Sequence, residues 1–297
     1  MATRIAVLGT GKMGSALVRR LAAAGFEMTL WDRTAARATD VGIGRVAATP
    51  ADAVAEADFV VSSLTGREAL RATFLGPRGA LEAAHDQLFL EMSTAGPDSE
   101  AELAPRVAAT GAHLVDATIV GAPPIVEHGE AAILAGGDAA DVDRATPVLE
   151  HLGTVRHVGP LGNGARLKLI ANSMLAQITV GAAELQNAGE SAGLDPTDVF
   201  WLLERFAPAL QTRRPAYVDN ELQATMFALH DLRKDLDLAL GVFHAKDAPA
   251  PMTAIARELV SQALDEFSDN DIGAMVRLYR RSSRKEGFDR VSDEPRP

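Results

Sequence analysis

Gly9-Thr10-Gly11-Lys12-Met13-Gly14 is the stretch that most restricts what this 297-residue chain can fold into. An apolar run, Arg4 to Leu8, precedes it. An amphipathic segment follows as far as Ala24, where Gly25 stops it, and a second apolar run, Glu27 to Trp31, leads into Asp32-Arg33-Thr34. The order predicts strand, helix, strand, with a GxGxxG loop at the first turn. In such a unit the first glycine makes the turn and the second lets the backbone approach a pyrophosphate. The third lets helix and strand pack closely. Free N–H groups and the positive end of the helix dipole then face the phosphates. Asp32 stands 18 positions after Gly14, where a ribose would be held.

The residues after the second strand bear on the choice of dinucleotide. Asp32 can take both ribose hydroxyls of NAD and repels the 2′-phosphate of NADP. Arg33 and Thr34 act in the opposite sense, because a guanidinium pairs with phosphate and stacks on adenine. The tip is mixed. The Arg-Thr pair favours NADP, with NAD as the alternative.

The α/β rhythm continues. Short strands are expected at Arg45–Ala48, Asp58–Leu64, Gln87–Met92, His113–Thr118, Ala131–Leu134 and Val155–Val158. Ligands in open α/β sheets bind beyond the carboxyl ends of strands. Ser63-Leu64 and Ser93-Thr94 are therefore expected beside the cofactor. After Gly162 the strand signals cease. A helix from about Gly164 to Ala192 is apolar nearly all round, which implies burial on most faces, between domains or between subunits. Asp195-Pro196 caps the next helix, to about Phe206. A loop or irregular stretch with Arg213, Arg214 and Pro215 follows, then helices over about Phe227–His244, Met252–Phe267 and Ile272–Arg281. The fold class expected is α/β: a Rossmann-type doubly wound domain over 1–162 and an all-helical domain over 163–283, with a disordered tail, 284–297.

Composition narrows the function classes. A formal net charge of -11 disfavours nucleic acid and anionic membrane as partners. The chain has no cysteine, which excludes disulfides, thiolate nucleophiles and cysteine-ligated metal, and fits a reducing, cytoplasmic setting. The first apolar run is too short for a secretory signal. The seven histidines form no HxH or HExxH pair, so no metal site is expected. Lys168 is one of five lysines and sits inside an apolar run, with Asn172 one helical turn further on. Taken alone, it reads as an interface lysine whose stem is buried and whose ammonium reaches water.

Five segments in order resemble one family, the β-hydroxyacid dehydrogenases. That group includes 3-hydroxyisobutyrate dehydrogenase, tartronate semialdehyde reductase and glyoxylate/succinic semialdehyde reductase, with 6-phosphogluconate dehydrogenase and imine reductases as more distant relatives. The segments are Gly9–Gly14, Glu91-Met-Ser-Thr94, Asp116-Ala-Thr-Ile-Val-Gly-Ala122, Gly162–Asn172, and Phe227 through Arg233-Lys234-Asp235-Leu236. The resemblance implies cofactor contacts from Gly9, Thr10, Gly11, Lys12, Met13, Gly14, Asp32, Arg33, Thr34, Ser63, Leu64, Thr94 and Lys234. It implies substrate contacts from Thr94, Val120, Gly121, Lys168 and Asn172. Lys168 would be the general acid/base, and Asn172 would hold substrate or lysine. Carbonyl reduction by hydride develops alkoxide charge, which an ammonium stabilises and protonates. Lys234 would reach the cofactor; as a surface charge it would instead pair with Asp231 or Asp235.

One departure stands out. Val120 replaces the serine that in the family helps bind a substrate carboxylate, and Ala122 replaces a glycine. Thr118, in place of the family's proline, adds a hydroxyl nearby. The expected activity is hydride transfer between a nicotinamide and a small carbonyl/β-hydroxy acid of the 3-hydroxyisobutyrate, glyoxylate or semialdehyde type. Imine reduction is the alternative that Val120 favours. A catalytically silent dinucleotide-binding scaffold is the alternative of another class. The long apolar helix implies a homodimer through the helical domain.

Overall fold

The computed structural model describes residues 2–280; the expected tail at 284–297 lies outside them. The chain forms two compact units, Met1–Leu169 and Ile170–Pro297.

The first unit is built on an eight-stranded sheet in the order β3-β2-β1-β4-β5-β6-β7-β8. Its strands are β1 (Arg4–Leu8), β2 (Glu27–Trp31), β3 (Arg45–Val46), β4 (Phe59–Ser62), β5 (Leu88–Glu91), β6 (His113–Val120), β7 (Ala131–Gly136) and β8 (Gly153–His157). β1 to β6 run parallel. β7 lies antiparallel to β6, and β8 runs with β7. Strand order therefore reverses between β1 and β4, so the loops after those strands diverge and leave room for a ligand.

Helices cover both faces: α1 (Lys12–Ala23), α2 (Ala35–Asp40), α3 (Pro50–Val54), α4 (Arg67–Leu75), α5 (Pro97–Ala108), α6 (Pro123–His128) and α7 (Ala139–Leu149). Alternation along the strands divides the core. Ile5, Val7, Leu88, Leu90, Val115 and Ala117 belong to one apolar cluster. Ala6, Leu8, Val60, Phe89 and Leu114 belong to the other, with Leu103 and Val107 of α5. Burial on both faces is why these strands read as continuous apolar runs. Thr49 caps α3, its hydroxyl accepting from Asp52 N–H, with Pro50 at the first helical position.

The helix α8 (Asn163–Ser191) begins in the first unit and continues into the second. The second unit adds α9 (Pro196–Phe206), capped by Asp195, α10 (Leu229–His244) and α11 (Pro251–Phe267). Its core gathers Val180, Phe200, Tyr217, Leu232, Leu236 and Val260.

Two segments have turn geometry that the sequence pattern does not specify. The loop around Arg213 to Pro215 is wound into a 3-10 turn, Pro208–Arg213, and a π turn, Pro215–Asp219. Arg213 is buried there against Asp271 at 3.2 Å, a long-range pair that local pattern does not reveal. The last described helix opens as a 3-10 turn, Ile272–Ala274, because Asp271 caps Gly273 N–H.

Candidate active site

The dinucleotide loop leaves β1 at Gly9, whose φ of +97° excludes most other residues. A Cβ on Gly9 would lie 2.3 Å from Ser63 O, and one on Gly14 would lie 1.9 Å from Gly9 O. A Cβ on Gly11 would meet nothing within 4 Å. The outer two glycines are thus required by packing. The middle one faces open space beside the first turn of α1, which is what a pyrophosphate needs. Lys12 is exposed and Met13 half-buried at that turn.

Asp32 is held by the backbone. Oδ2 accepts from Thr10 N–H at 2.8 Å and from the Thr10 hydroxyl at 3.3 Å, while Oδ1 accepts from Thr34 N–H at 2.8 Å. The carboxylate ties the glycine loop to the turn after β2, and Arg33 and Thr34 stand exposed beside it.

Ser63 and Leu64 follow β4 and Thr94 follows β5, at the same carboxyl edge. Leu64 N–H donates to Ser93 Oγ at 2.9 Å, and Ser93 N–H donates to Glu91 Oε1 at 2.8 Å. Glu91 is fully buried and neighbours Asp116 in the parallel register of β5 and β6. Glu100 of α5 packs against Glu91. Glu91 Oε2 and both Glu100 oxygens are buried without a hydrogen-bond partner, so the two acids face each other with little to stabilise a negative charge on either. Burial pushes Glu100 up to about 9, helped by the charge of Glu91. Burial also pushes Glu91 up to about 7, against the hydrogen bonds from Ser93.

Val120 closes β6 and Gly121 follows it at the same edge, Val120 being 36% exposed. Thr118 does not supply the missing hydroxyl there. It is buried, and Oγ1 donates to Gly164 O at 2.9 Å.

Lys168 is half-buried on α8, five positions after Asn163. Asn172 is buried on the same helix, and its Nδ2 donates to Asp235 Oδ2 at 2.6 Å. Asp235 Oδ1 accepts from Lys234 Nζ, also at 2.6 Å. One buried carboxylate of α10 therefore gathers Asn172 and Lys234. Sequence reasoning treated Asp235 only as a surface partner for Lys234. Its burial at 2% exposure depends on the packing of α10, which no local motif carries.

Apart from Lys168 on α8, the predicted residues fall in two groups. Gly9 to Gly14, Asp32 to Thr34, Ser63, Leu64, Thr94, Val120 and Gly121 line one edge of the sheet. Asn172 and Lys234 meet through Asp235 in the second unit.

Residues 4–160 match the family described as the NAD binding domain of 6-phosphogluconate dehydrogenase, and residues 162–279 match the NAD-binding family of NADP-dependent 3-hydroxyisobutyrate dehydrogenase. The chain belongs to the β-hydroxyacid dehydrogenase family. This family of NAD(P)-dependent oxidoreductases accounts for the ordered motifs and for the change from α/β to helical structure. The chain is similar to chloroplastic glyoxylate/succinic semialdehyde reductase 2 of Arabidopsis thaliana, 27% identical over 290 residues, 95% of this chain and 81% of that protein. It is also similar to the cytokine-like nuclear factor N-PAC of Pongo abelii, 30% identical over 93% of this chain and 51% of that protein. The chain therefore spans about half the length of that curated relative. Mycobacterium tuberculosis 3-hydroxyisobutyrate dehydrogenase, solved with L-serine, superposes with a TM-score of 0.82 at 27% identity, covering 94% of this chain and 100% of that one. The fold likeness extends to a reductive aminase of Aspergillus terreus, with a TM-score of 0.62 at 22% identity over 94% of this chain and 100% of that one.

Proposed function

We propose that this β-hydroxyacid dehydrogenase relative transfers hydride between NAD(P) and a small carbonyl/β-hydroxy acid pair, with Lys168 as general acid/base. The observation that carries the reading is the placement of Lys168. It is half-buried on a helix whose first turn is anchored to the strand that ends at Val120, with Gly121 next.

The open side of Gly11 and the exposed Arg33 and Thr34 fit a dinucleotide: the loop would hold its pyrophosphate and the turn after β2 its adenosine ribose. Bound there, the nicotinamide supplies or accepts the hydride. Lys168 holds a proton for the substrate oxygen in the reducing direction and stabilises the charge that develops on it. In oxidation the neutral amine of Lys168 takes the hydroxyl proton. Asn172, oriented through its amide by Asp235, keeps Oδ1 for substrate or for the lysine ammonium. Both Asp32 oxygens already accept backbone N–H groups, which leaves Arg33 to meet a 2′-phosphate and favours NADP over NAD.

Val120 supports a second reading, imine reduction, because it offers no donor to a carboxylate at the end of β6. The third reading, a silent dinucleotide-binding scaffold, draws on similarity to a protein named as a nuclear factor. A panel of glyoxylate, succinic semialdehyde, methylmalonate semialdehyde, tartronate semialdehyde and cyclic imines, run with NADH and NADPH in parallel, separates them. Turnover of an aldehyde acid is expected. Activity on imines alone would establish the second reading, and NADPH binding without turnover of any compound the third.

A homodimer through the helical unit is part of the same proposal. Trp201, Leu202 and Phe206 of α9 are 53%, 51% and 85% exposed, an apolar surface that a second copy would cover. Sedimentation as a dimer at micromolar concentration is expected, and a monomer would contradict it. A cytoplasmic setting is inferred from the absence of cysteine. Among the described residues, no helix is long and apolar enough to cross a membrane.

A further inference from the structure

Asp116 is fully buried on β6, yet its carboxylate reaches the start of α8. Oδ1 accepts from Gly162 N–H at 3.0 Å and Oδ2 accepts from Ala165 N–H at 2.8 Å. Two residues on, and so on the same face of the strand, Thr118 donates to Gly164 O at 2.9 Å. The first N–H groups of a helix have no partner within it. The side-chain oxygen of Asn163, the first residue of α8, accepts from Arg166 Nη1 at 3.1 Å, while its amide donates to Val158 O. The cap comes from 49 residues away.

The fit is close. A Cβ on Gly136 would lie 2.2 Å from Asp116 Oδ1, and one on Gly164 would lie 2.7 Å from Oδ2. The carboxylate therefore cannot shift without displacing the start of α8, and Lys168 is three residues beyond Ala165. Charge is distributed to suit. The acidic groups facing Asp116 are Glu91 from β5 and Glu100 from α5, and burial raises both well above the usual carboxylate range. β7 and α8 present Gly136, Gly164 and Ala165. The positive end of α8 favours negative charge on Asp116 over its neighbours. Burial still raises Asp116 to about 6, below both glutamates.

We propose that Asp116, seconded by Thr118, is the positioning residue that fixes the first turn of α8 and through it the place of Lys168. This rests on the reading of Lys168 as acid/base. Asp116 is fully buried, and its contribution is to hold the ammonium where the proton is needed.

The test compares Asp116→Asn and Thr118→Val with the parent protein. Asparagine keeps the shape but sets an N–H2 against one of the two donors, and valine removes the Thr118 hydroxyl without changing volume much. Hydrogen exchange at residues 162–168 is expected to quicken in both. Turnover, measured with NADPH and the aldehyde acid reduced fastest in the panel above, should fall by roughly 10²-fold in Asp116→Asn. The fall should be smaller in Thr118→Val. NADPH affinity, followed by fluorescence, should stay unchanged, and the solvent deuterium isotope effect on kcat should rise as proton delivery becomes limiting. A purely structural role would lower the melting temperature and leave kcat and the isotope effect alone. Unchanged kcat in folded Asp116→Asn overturns the proposal; if that variant does not fold, unchanged kcat in Thr118→Val does so. Lys168→Ala in the same assay separates the two claims. Full turnover there removes the Lys168 reading and the positioning role with it. Loss there with full turnover in Asp116→Asn removes the positioning role alone.

Discussion

Asn172 Nδ2 donates to Asp235 Oδ2 at 2.6 Å, and Asp235 is only 2% exposed. The other oxygen of the same carboxylate accepts from Lys234. Removing a buried carboxylate costs its partners their desolvation, typically about 1–3 kcal/mol. Asp235→Ala is expected to lower the stability of the protein by about that amount. It should also raise KM for substrate, because Asn172 loses the acceptor that orients it. A thermal melt and a KM both equal to those of the parent would contradict the assignment.

Arg33 is exposed at the turn where both oxygens of Asp32 already accept backbone N–H groups. Charge-assisted hydrogen bonds contribute about 1.5–3 kcal/mol, or roughly 10- to 100-fold in affinity. Arg33→Ala should weaken NADPH binding by that factor and leave NADH nearly unchanged. Equal losses for the two cofactors in a fluorescence titration would contradict a 2′-phosphate role.

The buried Glu91–Glu100 pair sets a pH dependence of stability. Both groups titrate above their ordinary value of 4.5, at about 7 and about 9. Between pH 4.5 and 9 the native state therefore binds more protons than the unfolded state. This contribution is complete below about pH 4.5 and is lost as pH rises through 7 towards 9. Glu100→Gln keeps the shape of the side chain and cannot ionise. It should flatten the fall in melting temperature between pH 7 and 9, and an unaltered fall would show that the pair does not carry it.

Much of this was legible in the residues. The GxGxxG loop falls where the pattern predicts it, between β1 and α1, and the crowding at Gly9 and Gly14 and the open space at Gly11 are local features of that turn. The strand Glu27–Trp31 and the cap at Asp195 follow from equally local signals. What was not legible depends on distant partners. Asp116 stood inside a recognised segment, but its bonds to Gly162 and Ala165 exist only once β6 and α8 are in place. The sequence placed the Thr118 hydroxyl near Val120 without fixing where it points; in the fold it donates to Gly164 O. Glu100 gave no signal at all, since a glutamate on an amphipathic helix reads as solvated, and here it faces inward at 1% exposure.

Val120 separates the two enzymatic readings. It stands 36% exposed at the end of β6 with no polar atom beyond its backbone. If the substrate is a carboxylate, Val120→Ser adds a hydrogen bond to a charged group and should lower KM by up to roughly 10-fold. Turnover of an imine should not improve. A gain for imines, or a loss for every aldehyde acid, would place Val120 on the side of a less polar substrate.

Lys168→Ala, assayed for NADPH binding and for carbonyl reduction on one preparation, tests the central claim most directly. Loss of an acid/base group costs about 10²–10⁴-fold in rate. The expected result is a fall of that size in kcat with the NADPH dissociation constant and the melting temperature kept. Turnover equal to that of the parent, with NADPH bound as before, would contradict it.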